Sequence, residues 1–338
     1  MKVISPMATG SGAYVLHQQL AGKLPGYRMR PFSPWWALVP PMLPFLSSPK
    51  ADIVHTGGEY GWLLRQSHVP LVVTVHNYVS DSFMRAYSGR VQYLHNRTLI
   101  KYLTRRTVSV ADRVVVISRY MEHILRADLG TDVPMRLIYN GVDEDAFVPG
   151  EVSRNARGRP LRILFCGNLN RRKRPHLLVS LANELGKDFE LHYTAGLAGS
   201  TLDSEGLKPS AARLVSVGKV SHADMPELYQ RMDLLFMPSV REGFGLCVAE
   251  AMACGLPVVA ADASASPELV DRAEGGRLVP VDDLQGFAAA IRELAESPEL
   301  RRAMGEFNRS RVESRFRLAD MVESYRLLFE ELADLGGR

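Results

Sequence analysis

Cysteine is scarce in this sequence, and the three that occur form no metal-binding or disulfide pattern. Cys166, Cys247 and Cys254 include no C-x-x-C pair, which argues against a zinc-ligand set and against a secreted disulfide framework. We therefore expect all three to pack as small hydrophobic residues in a reducing compartment. The Asp-x-Asp at residues 143–145 lies in a turn before the expected linker and not at a strand end, so we expect no metal site.

The chain also lacks a long hydrophobic run. Its longest apolar stretch, PWWALVPPMLPFL at residues 34–46, contains four prolines and is shorter than the roughly 20 residues that a membrane-spanning helix needs. The first residues, MKVISPMATGSG, lead into a predicted strand and a glycine-rich turn without the apolar segment of a secretory leader. We therefore expect a cytoplasmic protein, either free or peripheral on the inner face of a membrane.

Charge is distributed unevenly along the chain. Residues 1–140 hold 16 Lys and Arg against seven Asp and Glu, a net +9, whereas the whole chain of 338 residues carries only +4. A basic N-terminal half predicts an anionic partner, such as phosphate, anionic lipid or acidic glycan, and we expect no nucleic acid. Residues 85–108 mix Arg, Lys, Tyr and Leu, which suits an anionic membrane surface or a pyrophosphate-linked lipid. An ordinary amphipathic helix is the alternative.

The length and the hydrophobic pattern predict two α/β domains. A chain of this length suits two domains of about 150 residues each, and short β-branched runs alternate with helical stretches through both halves. Runs that are apolar on both faces are typical of parallel strands covered on both sides. We expect a first domain over residues 1–150, a linker over 151–160, a second domain over 161–318 and a C-terminal helix over 319–338 that crosses back to the first domain. Predicted strands begin the first domain and recur at residues 51–56, 70–77, 112–118, at the start of 134–149, and at 161–168, 188–196, 212–220, 233–239 and 256–262.

The most informative segment is REGFGLCVAEAMACGLPVVA, residues 241–260. Glu242 lies in the loop after a predicted strand, and Gly243 and Gly245 permit a tight turn whose N–H groups suit anions and hydroxyls at a helix N-terminus. Glu250 follows within the helix among apolar residues, where a carboxylate normally has a partner or a ligand. Two carboxylates at this spacing can contact two parts of one polyhydroxylated ligand. A capping glutamate plus a surface glutamate is the alternative.

This segment resembles the E-x7-E motif of retaining glycosyltransferases of family 4. Those enzymes have the GT-B fold, in which two Rossmann-like, doubly wound parallel-sheet domains face each other across a cleft. Weaker matches follow in the order expected for the family, over nearly the whole chain: GSGAYVLHQQLA, VVTVHN, VVVISRYM, IYNGVDEDAFVP, CGNLNRRKRPHLL and VGKVSHADMPELY. The resemblance implies an α/β protein of the GT-B class that transfers a hexose-type sugar from a nucleotide-diphosphate sugar to a glycan or a lipid-linked acceptor.

The resemblance also implies roles for residues of the 241–260 segment. Glu242 would contact the hydroxyls of the donor sugar, and Glu250 would bind the nucleotide ribose. The glycine-rich loop would offer backbone N–H groups to the sugar and the phosphates. The donor-binding residues of that loop are Gly243, Phe244, Gly245 and Leu246.

Lys173 occupies the position of the family's diphosphate-binding lysine, where a cation neutralises the leaving nucleoside diphosphate. In CGNLNRRKRPHLL, members of the family often have arginine directly after the glycine, which is Gly167 here, but this sequence has Asn168 at that position. The resemblance implies that Arg171 or Arg172 then completes the phosphate-binding group. A solvated charge run is the alternative reading of these basic residues.

Four further positions follow from the resemblance. His76, at the end of PLVVTVHN, would face the donor sugar, with a structural histidine as the alternative. Gly12 would let the backbone approach the donor phosphate or the acceptor, although one Gly-x-Gly is weak evidence. Gly218 and Val220 would lie beside the nucleobase.

The implied reaction uses a UDP- or GDP-linked sugar as co-substrate and needs no separate cofactor. Positive charge from Lys173, neighbouring arginines and helix dipoles would replace a metal ion. Cell-surface polysaccharide or glycolipid biosynthesis is the expected pathway. Two alternatives stay open: a non-catalytic nucleotide-sugar-binding subunit, for which Asn168 leaves room, and a nucleotide-sugar epimerase. A dehydrogenase is disfavoured because GSGAYV lacks the third glycine of a dinucleotide-binding turn.

Overall fold

The computed structural model describes residues 1–10, 12–33, 51–150, 158–195 and 202–336, which form two compact units. Unit 1 comprises Met1–Gly141 together with Leu318–Arg338, and unit 2 comprises Val142–Arg317. The proline-rich stretch at 34–46 lies outside the described residues, and so does the expected linker except for its last three positions.

Unit 1 is built on a parallel sheet whose described strands have the order β2-β1-β3-β4-β5-β6. Strand β4 is buried at every position, which is the pattern of a strand covered on both faces. The strands are β1 Val3–Ala8, β2 Tyr27–Phe32, β3 Ile53–Gly57, β4 Leu71–Val75, β5 Arg113–Val116 and β6 Met135–Leu137. The helices between them are α1 Gly12–Lys23, α2 Arg90–His95, α3 Lys101–Val110 and α4 Arg119–Leu129.

Unit 2 repeats the plan with a second parallel sheet in the order β12-β11-β10-β7-β8-β9. Strands β7 and β10 are neighbours at its centre, where the strand order changes direction; ligands of such sheets bind at this point. The strands are β7 Leu161–Phe165, β8 Phe189–Thr194, β9 Arg213–Gly218, β10 Leu234–Met237, β11 Val258–Ala261 and β12 Gly276–Val279. The helices are α5 Leu177–Leu185, α6 Met225–Gln230, α7 Leu246–Ala253, α8 Ser266–Leu269, α9 Leu284–Glu296 and α10 Pro298–Arg315.

The last helix, α11 Leu318–Gly336, belongs to unit 1. Its apolar face is buried in the same cluster as residues from the start of the chain. Tyr325 and Phe329 of α11 are fully buried there, together with Leu20 of α1 and Ile53 of β3. The C-terminal helix therefore completes the apolar core of the N-terminal unit.

The predicted α/β architecture of two doubly wound parallel sheets is confirmed. The division between the units differs from the sequence-based one, because residues 142–150 belong to unit 2. The N–H of Val142 donates to the carbonyl of Phe316 at 2.8 Å, and the Phe147 ring packs 6.1 Å from the ring of Tyr229. These contacts hold the segment to unit 2.

The cysteines are packed much as the sequence predicted, and the described helices bear on whether the chain can span a membrane. Cys166 and Cys254 are buried, Cys247 is half-buried, and all three are free thiols. No helix in the described ranges has both the length and the apolar content that crossing a membrane requires.

Candidate active site

Two loops at the carboxyl ends of the neighbouring strands β7 and β10 form the candidate site of unit 2. The first loop leads into a 3-10 turn at Arg171–Lys173, and the second leads into α7. The N–H of Val240 donates to the carbonyl of Arg172 at 2.9 Å, and the guanidinium of Arg172 donates to the carbonyl of Arg241 at 2.7 Å. These two bonds tie the loops together.

A buried ion pair joins the two loops. Nζ of Lys173 lies 2.6 Å from Oε1 of Glu242, and each residue is only 7% exposed. Nη1 of Arg172 lies 3.5 Å from the same carboxylate oxygen. Burial lowers the pKa of Lys173, but the Glu242 carboxylate outweighs it and the net shift is upward. Burial raises the pKa of Glu242, but Lys173 and Arg172 outweigh it and the net shift is downward, so both groups are ionised at neutral pH.

Glycine at position 167 makes room for the lysine of this pair. Gly167 has a φ of +140°, and a Cβ added there would lie 3.2 Å from Cε of Lys173. The side chain of Asn170 accepts a hydrogen bond from the N–H of Lys173 at 3.2 Å. The backbone that follows β7 therefore fixes the course of the lysine side chain.

The second loop presents the N-terminus of α7. Gly245 is the N-cap residue with a φ of +101°, a conformation that side chains disfavour. The first N–H groups of a helix have no acceptor within the helix and carry its positive dipole end. Phe244 is buried and packs edge-on against Phe316 at 5.6 Å between ring centroids. Its side chain therefore serves packing.

The second glutamate of the motif has two hydrogen-bonding partners. Oε2 of Glu250 accepts from the hydroxyl of Tyr229 at 2.9 Å, and Oε1 lies 3.2 Å from Nε2 of His222. Its hydrogen bond to Glu250 raises the pKa of His222, whereas burial raises the pKa of Tyr229. Glu250 is 7% exposed, so it is not the surface glutamate of the alternative reading.

The structure separates the basic residues that the sequence left as alternatives. Arg171 and Asn168 are exposed, whereas Arg172 is half-buried beside the ion pair. Gly218 ends β9 with a φ of +76°. The structure therefore brings together Lys173, Arg172 and Glu242, and places Val220 two residues before His222, the hydrogen-bonding partner of Glu250.

Two of the predicted positions lie in unit 1. His76 follows β4 and is half-buried, with Nε2 3.1 Å from Nε2 of His17. Burial lowers the pKa of His76 to about 4, so its ring is neutral at physiological pH. Gly12 is exposed and begins α1.

Three contact residues were absent from the sequence-based site. Tyr229 and His222 hold Glu250, and His17 holds His76. His17 carried a signal that was available, because it lies beside Leu16 and three residues before Leu20 on the buried face of α1. Within the described ranges, no three His, Cys, Asp or Glu side chains are grouped closely enough to hold a metal ion.

Family models match both halves of the chain. The model described as Glycosyltransferase Family 4 matches residues 2–146, and the model described as Glycosyl transferases group 1 matches residues 151–311. Together they cover nearly the whole sequence. The chain therefore belongs to the family 4 glycosyltransferases, as the sequence motifs predicted.

Curated relatives support this membership. The D-inositol 3-phosphate glycosyltransferase of Corynebacterium jeikeium (strain K411) is 29% identical over 313 residues, which are 85% of this chain and 74% of the relative. The protein of the same name from Mycobacterium bovis (strain BCG / Pasteur 1173P2) is 33% identical over 262 residues, 72% of this chain and 54% of the relative. The chain thus spans between about half and three quarters of the length of these relatives.

Solved structures share the fold. Sucrose-phosphate synthase from Thermosynechococcus elongatus superposes with a TM-score of 0.80 at 22% identity, over 98% of this chain and 99% of the other. The Anabaena protein Alr3699/HepE in complex with UDP-glucose gives a TM-score of 0.77 at 17% identity, over 97% and 99%. At these identities the likeness shows the fold alone, and it confirms the predicted GT-B class.

Proposed function

We propose that this chain is a retaining glycosyltransferase that moves a hexose-type sugar from a nucleotide-diphosphate sugar to a glycan or lipid-linked acceptor. Cell-surface polysaccharide or glycolipid biosynthesis is the proposed setting. The observation that carries the proposal is the buried pair of Lys173 and Glu242 beside the N-terminus of α7. A cation and a helix N-terminus suit a leaving diphosphate, and a carboxylate suits sugar hydroxyls. The UDP-glucose complex of the Anabaena neighbour supports a donor of this class.

The proposed reaction begins with cleavage of the bond between the sugar and the diphosphate. The sugar develops oxocarbenium character, and negative charge develops on the departing diphosphate. Lys173, Arg172 and the N–H groups that open α7 are already held in place, so they stabilise this charge with little reorganisation. The acceptor hydroxyl attacks from the leaving-group face and gives its proton to a phosphate oxygen. The proposal therefore needs neither a protein nucleophile nor an added metal ion.

In this proposal Glu242 and Glu250 contact different parts of the sugar donor. Glu242 accepts hydrogen bonds from the sugar, and Glu250 accepts hydrogen bonds from the ribose hydroxyls of the nucleotide. The family resemblance assigns His76 of unit 1 to the same donor sugar.

Calorimetric titration with UDP, GDP and ADP in metal-free buffer tests the donor assignment. We expect selective binding of one nucleotide, and we expect Glu250→Gln to weaken it by roughly 10-fold or more, because a hydrogen bond to a charged group contributes about 1.5–3 kcal/mol. Inorganic diphosphate should bind both proteins equally, since it has no ribose.

The exposed glutamate Glu274 provides a matched control for that titration. Glu274→Gln should bind every ligand as the wild type does. Equal loss of diphosphate and nucleotide affinity in Glu250→Gln would show that Glu250 acts on the phosphate site instead of the ribose. Selective nucleotide binding without any sugar transfer would favour the non-catalytic subunit.

We propose an anionic membrane surface as a further partner of unit 1. Large apolar side chains are unusually exposed within residues 83–102, with Val91 84% and Leu94 63% exposed. The exposed members of this set are Phe83, Val91, Leu94, Leu99 and Tyr102. Exposed arginines accompany them at positions 85, 90, 105 and 106. Apolar side chains among basic ones suit insertion at the headgroup level of anionic lipid.

Co-sedimentation with vesicles tests this surface. We expect the protein to bind phosphatidylglycerol-containing vesicles and to be released by high salt, because the attraction of the arginines is screened. The double variant Val91→Ser/Leu94→Ser should lose most of this binding without loss of stability, since both side chains are solvent-exposed. Leu327→Ser, at a 45% exposed leucine of α11, is the control and should bind normally. Equal binding by the double variant would contradict the proposal.

A further inference from the structure

A chain of buried hydroxyl and imidazole groups runs through unit 1 and ends at His76. We call it the hydroxyl–imidazole chain, and its members are Tyr325, Thr74, His55, Tyr27, His17 and His76. They come from α11, β4, β3, β2, α1 and the residue after β4. All except His76 are at most 4% exposed. Fully buried polar groups of this kind need every donor to be satisfied.

In the first half of the hydroxyl–imidazole chain, Tyr325 sets the direction in which the hydrogen bonds are donated. Its hydroxyl lies 3.0 Å from Oγ1 of Thr74, and Thr74 is its only hydrogen-bonding partner in the described part of the protein. Because Tyr325 is fully buried, its hydroxyl hydrogen is satisfied only by donation to Thr74. Thr74 then donates its own hydrogen to Nε2 of His55 at 2.8 Å. His55 therefore carries its proton on Nδ1.

In the second half of the hydroxyl–imidazole chain, the hydrogen bonds are donated in the same direction, towards His76. Nδ1 of His55 donates to the hydroxyl of Tyr27 at 2.8 Å, and Tyr27 donates in turn to Nδ1 of His17 at 2.7 Å. The hydroxyl of Ser5 lies at the same distance from that nitrogen. The proton of His17 is thus on Nε2, which lies 3.1 Å from Nε2 of His76.

Assigning one proton to each ring requires the three imidazoles to be neutral, and their pKa values agree with this. Burial lowers the pKa of His17 and of His55 well below the usual value and lowers the pKa of His76 to about 4. A neutral imidazole has one donor and one acceptor nitrogen. When Nε2 of His76 accepts from His17, its proton lies on Nδ1.

We propose that His17 is a positioning residue that fixes the plane and the tautomer of His76, so that His76 presents Nδ1–H to its ligand. In the described residues no protein group is hydrogen-bonded to Nδ1 of His76. A protonated Nδ1 donates a hydrogen bond and cannot accept one. His76 is then a hydrogen-bond donor to a sugar oxygen and not a general base for the acceptor hydroxyl. This inference rests on the proposed donor-sugar role of His76.

Nitrogen NMR of the protein, labelled with ¹⁵N in the histidine rings, tests the tautomer directly. His76→Gln identifies the resonances of that ring by their disappearance. We expect Nδ1 of His76 to be protonated and Nε2 to be unprotonated in the wild type. His17→Met, which removes the donor, should give a substantial population with the proton on Nε2. His17→Gln, whose amide can donate in the same place, should keep the proton on Nδ1.

A second variant protects the test against misfolding of His17→Met. Ser5→Ala/Tyr27→Phe leaves His17 in place but removes both hydroxyl groups that lie within hydrogen-bonding distance of its Nδ1, so the tautomer of His76 should become mixed. A purely structural role would change stability in these variants and leave the tautomer as it is. An Nε2-protonated His76 in the wild type, or an unchanged tautomer in His17→Met and in the double variant, would overturn the proposal.

Kinetics then link the tautomer to sugar binding. We expect His17→Met to raise the KM for the sugar donor by roughly 10-fold while the affinity for the free nucleoside diphosphate stays the same, because that ligand has no sugar. His17→Gln should restore most of the difference. Absence of transfer by the wild type would count against the proposed function, whereas the NMR result would still decide the role of His17.

Discussion

Glu242→Gln is expected to lower sugar transfer by about 10³-fold while the nucleoside diphosphate binds at least as tightly as it does to the wild type. The substitution keeps the size of the side chain and removes its charge. The sugar hydroxyls no longer have a carboxylate that accepts their hydrogen bonds, whereas Lys173 and Arg172 remain available to the diphosphate. Loss of one preorganised polar group at a reacting centre typically costs 10²–10³-fold in turnover. Steady-state kinetics and titration with the free diphosphate measure the two effects separately.

A matched control for this prediction is Glu205→Gln, since Glu205 is an exposed glutamate of unit 2. It should have wild-type turnover. Wild-type turnover in Glu242→Gln would remove Glu242 from the site, and a parallel loss of diphosphate affinity would show that the substitution disrupts the phosphate-binding loop.

Lys173→Met is expected to reduce the free energy of unfolding by about 3–5 kcal/mol. The methionine fills the space of the lysine stem but leaves the buried Glu242 carboxylate without its nearest cation, and Arg172 lies farther away at 3.5 Å. Breaking a buried pair by removing one partner is costly because the other charge stays desolvated. The double variant Lys173→Met/Glu242→Gln should regain most of the lost stability without regaining transfer. Urea unfolding of the four proteins completes the cycle.

The exposed pair of Arg302 and Glu306 is the control for that cycle. Its atoms are 3.8 Å apart and both side chains are 72% exposed. Arg302→Met should change the free energy of unfolding by less than about 1 kcal/mol, as is typical of surface pairs. Similar losses in Lys173→Met and Arg302→Met would contradict a buried, strongly coupled pair.

The same ion pair predicts how pH affects stability. The pKa of Glu242 is lowered from 4.5, so its contribution is present above that pH and is lost as pH falls through the folded-state value. The pKa of Lys173 is raised from 10.5, so its contribution is present below that pH and is lost as pH rises through the folded-state value. The stability difference between the wild type and the double variant should therefore be constant from about pH 5 to 10 and should change outside that range.

Local patterns in the sequence predicted most strands, and β2 at the edge of a sheet is among those that they missed. PLVVTVHN contains β4, which is buried at every position and therefore reads as a continuous apolar run. YRMRPF forms β2, where Arg28, Arg30 and Pro31 interrupt the apolar pattern. Proline is tolerated there because an edge strand has unpaired N–H positions. The neighbours of a strand, and not its own composition, make this segment a strand.

The candidate site was predictable as far as it depends on one continuous motif. Glu242 and Glu250 belong to such a motif and were found from the spacing. Lys173 meets Glu242 because β7 and β10 are adjacent in the sheet, which no local pattern indicates. Arg172 and Arg171 are neighbours in sequence, and only the fold shows that Arg172 reaches the ion pair.

The polar partners of His76 were beyond local patterns for the same reason. His17 is 59 residues away from His76, and Tyr325 is 251 residues away from Thr74. The position of His17 on the apolar face of α1 indicates that it is buried, but nothing in either segment indicates the partner. Their shared chemistry becomes visible only when α1, α11 and the central strands are packed together.

The split composition of unit 1 has a consequence for synthesis on the ribosome. Residues 1–141 emerge first, but the helix that covers Leu20 and Ile53 emerges only after all of Val142–Arg317. At roughly 5–20 residues per second, this interval lasts on the order of ten seconds or more. Unit 2 is continuous and can fold during that time, while the nascent N-terminal sheet still lacks Tyr325 and Phe329. The unit that is made first is therefore completed last. Until α11 emerges, we expect the uncovered apolar face of this unit to be a binding site for chaperones.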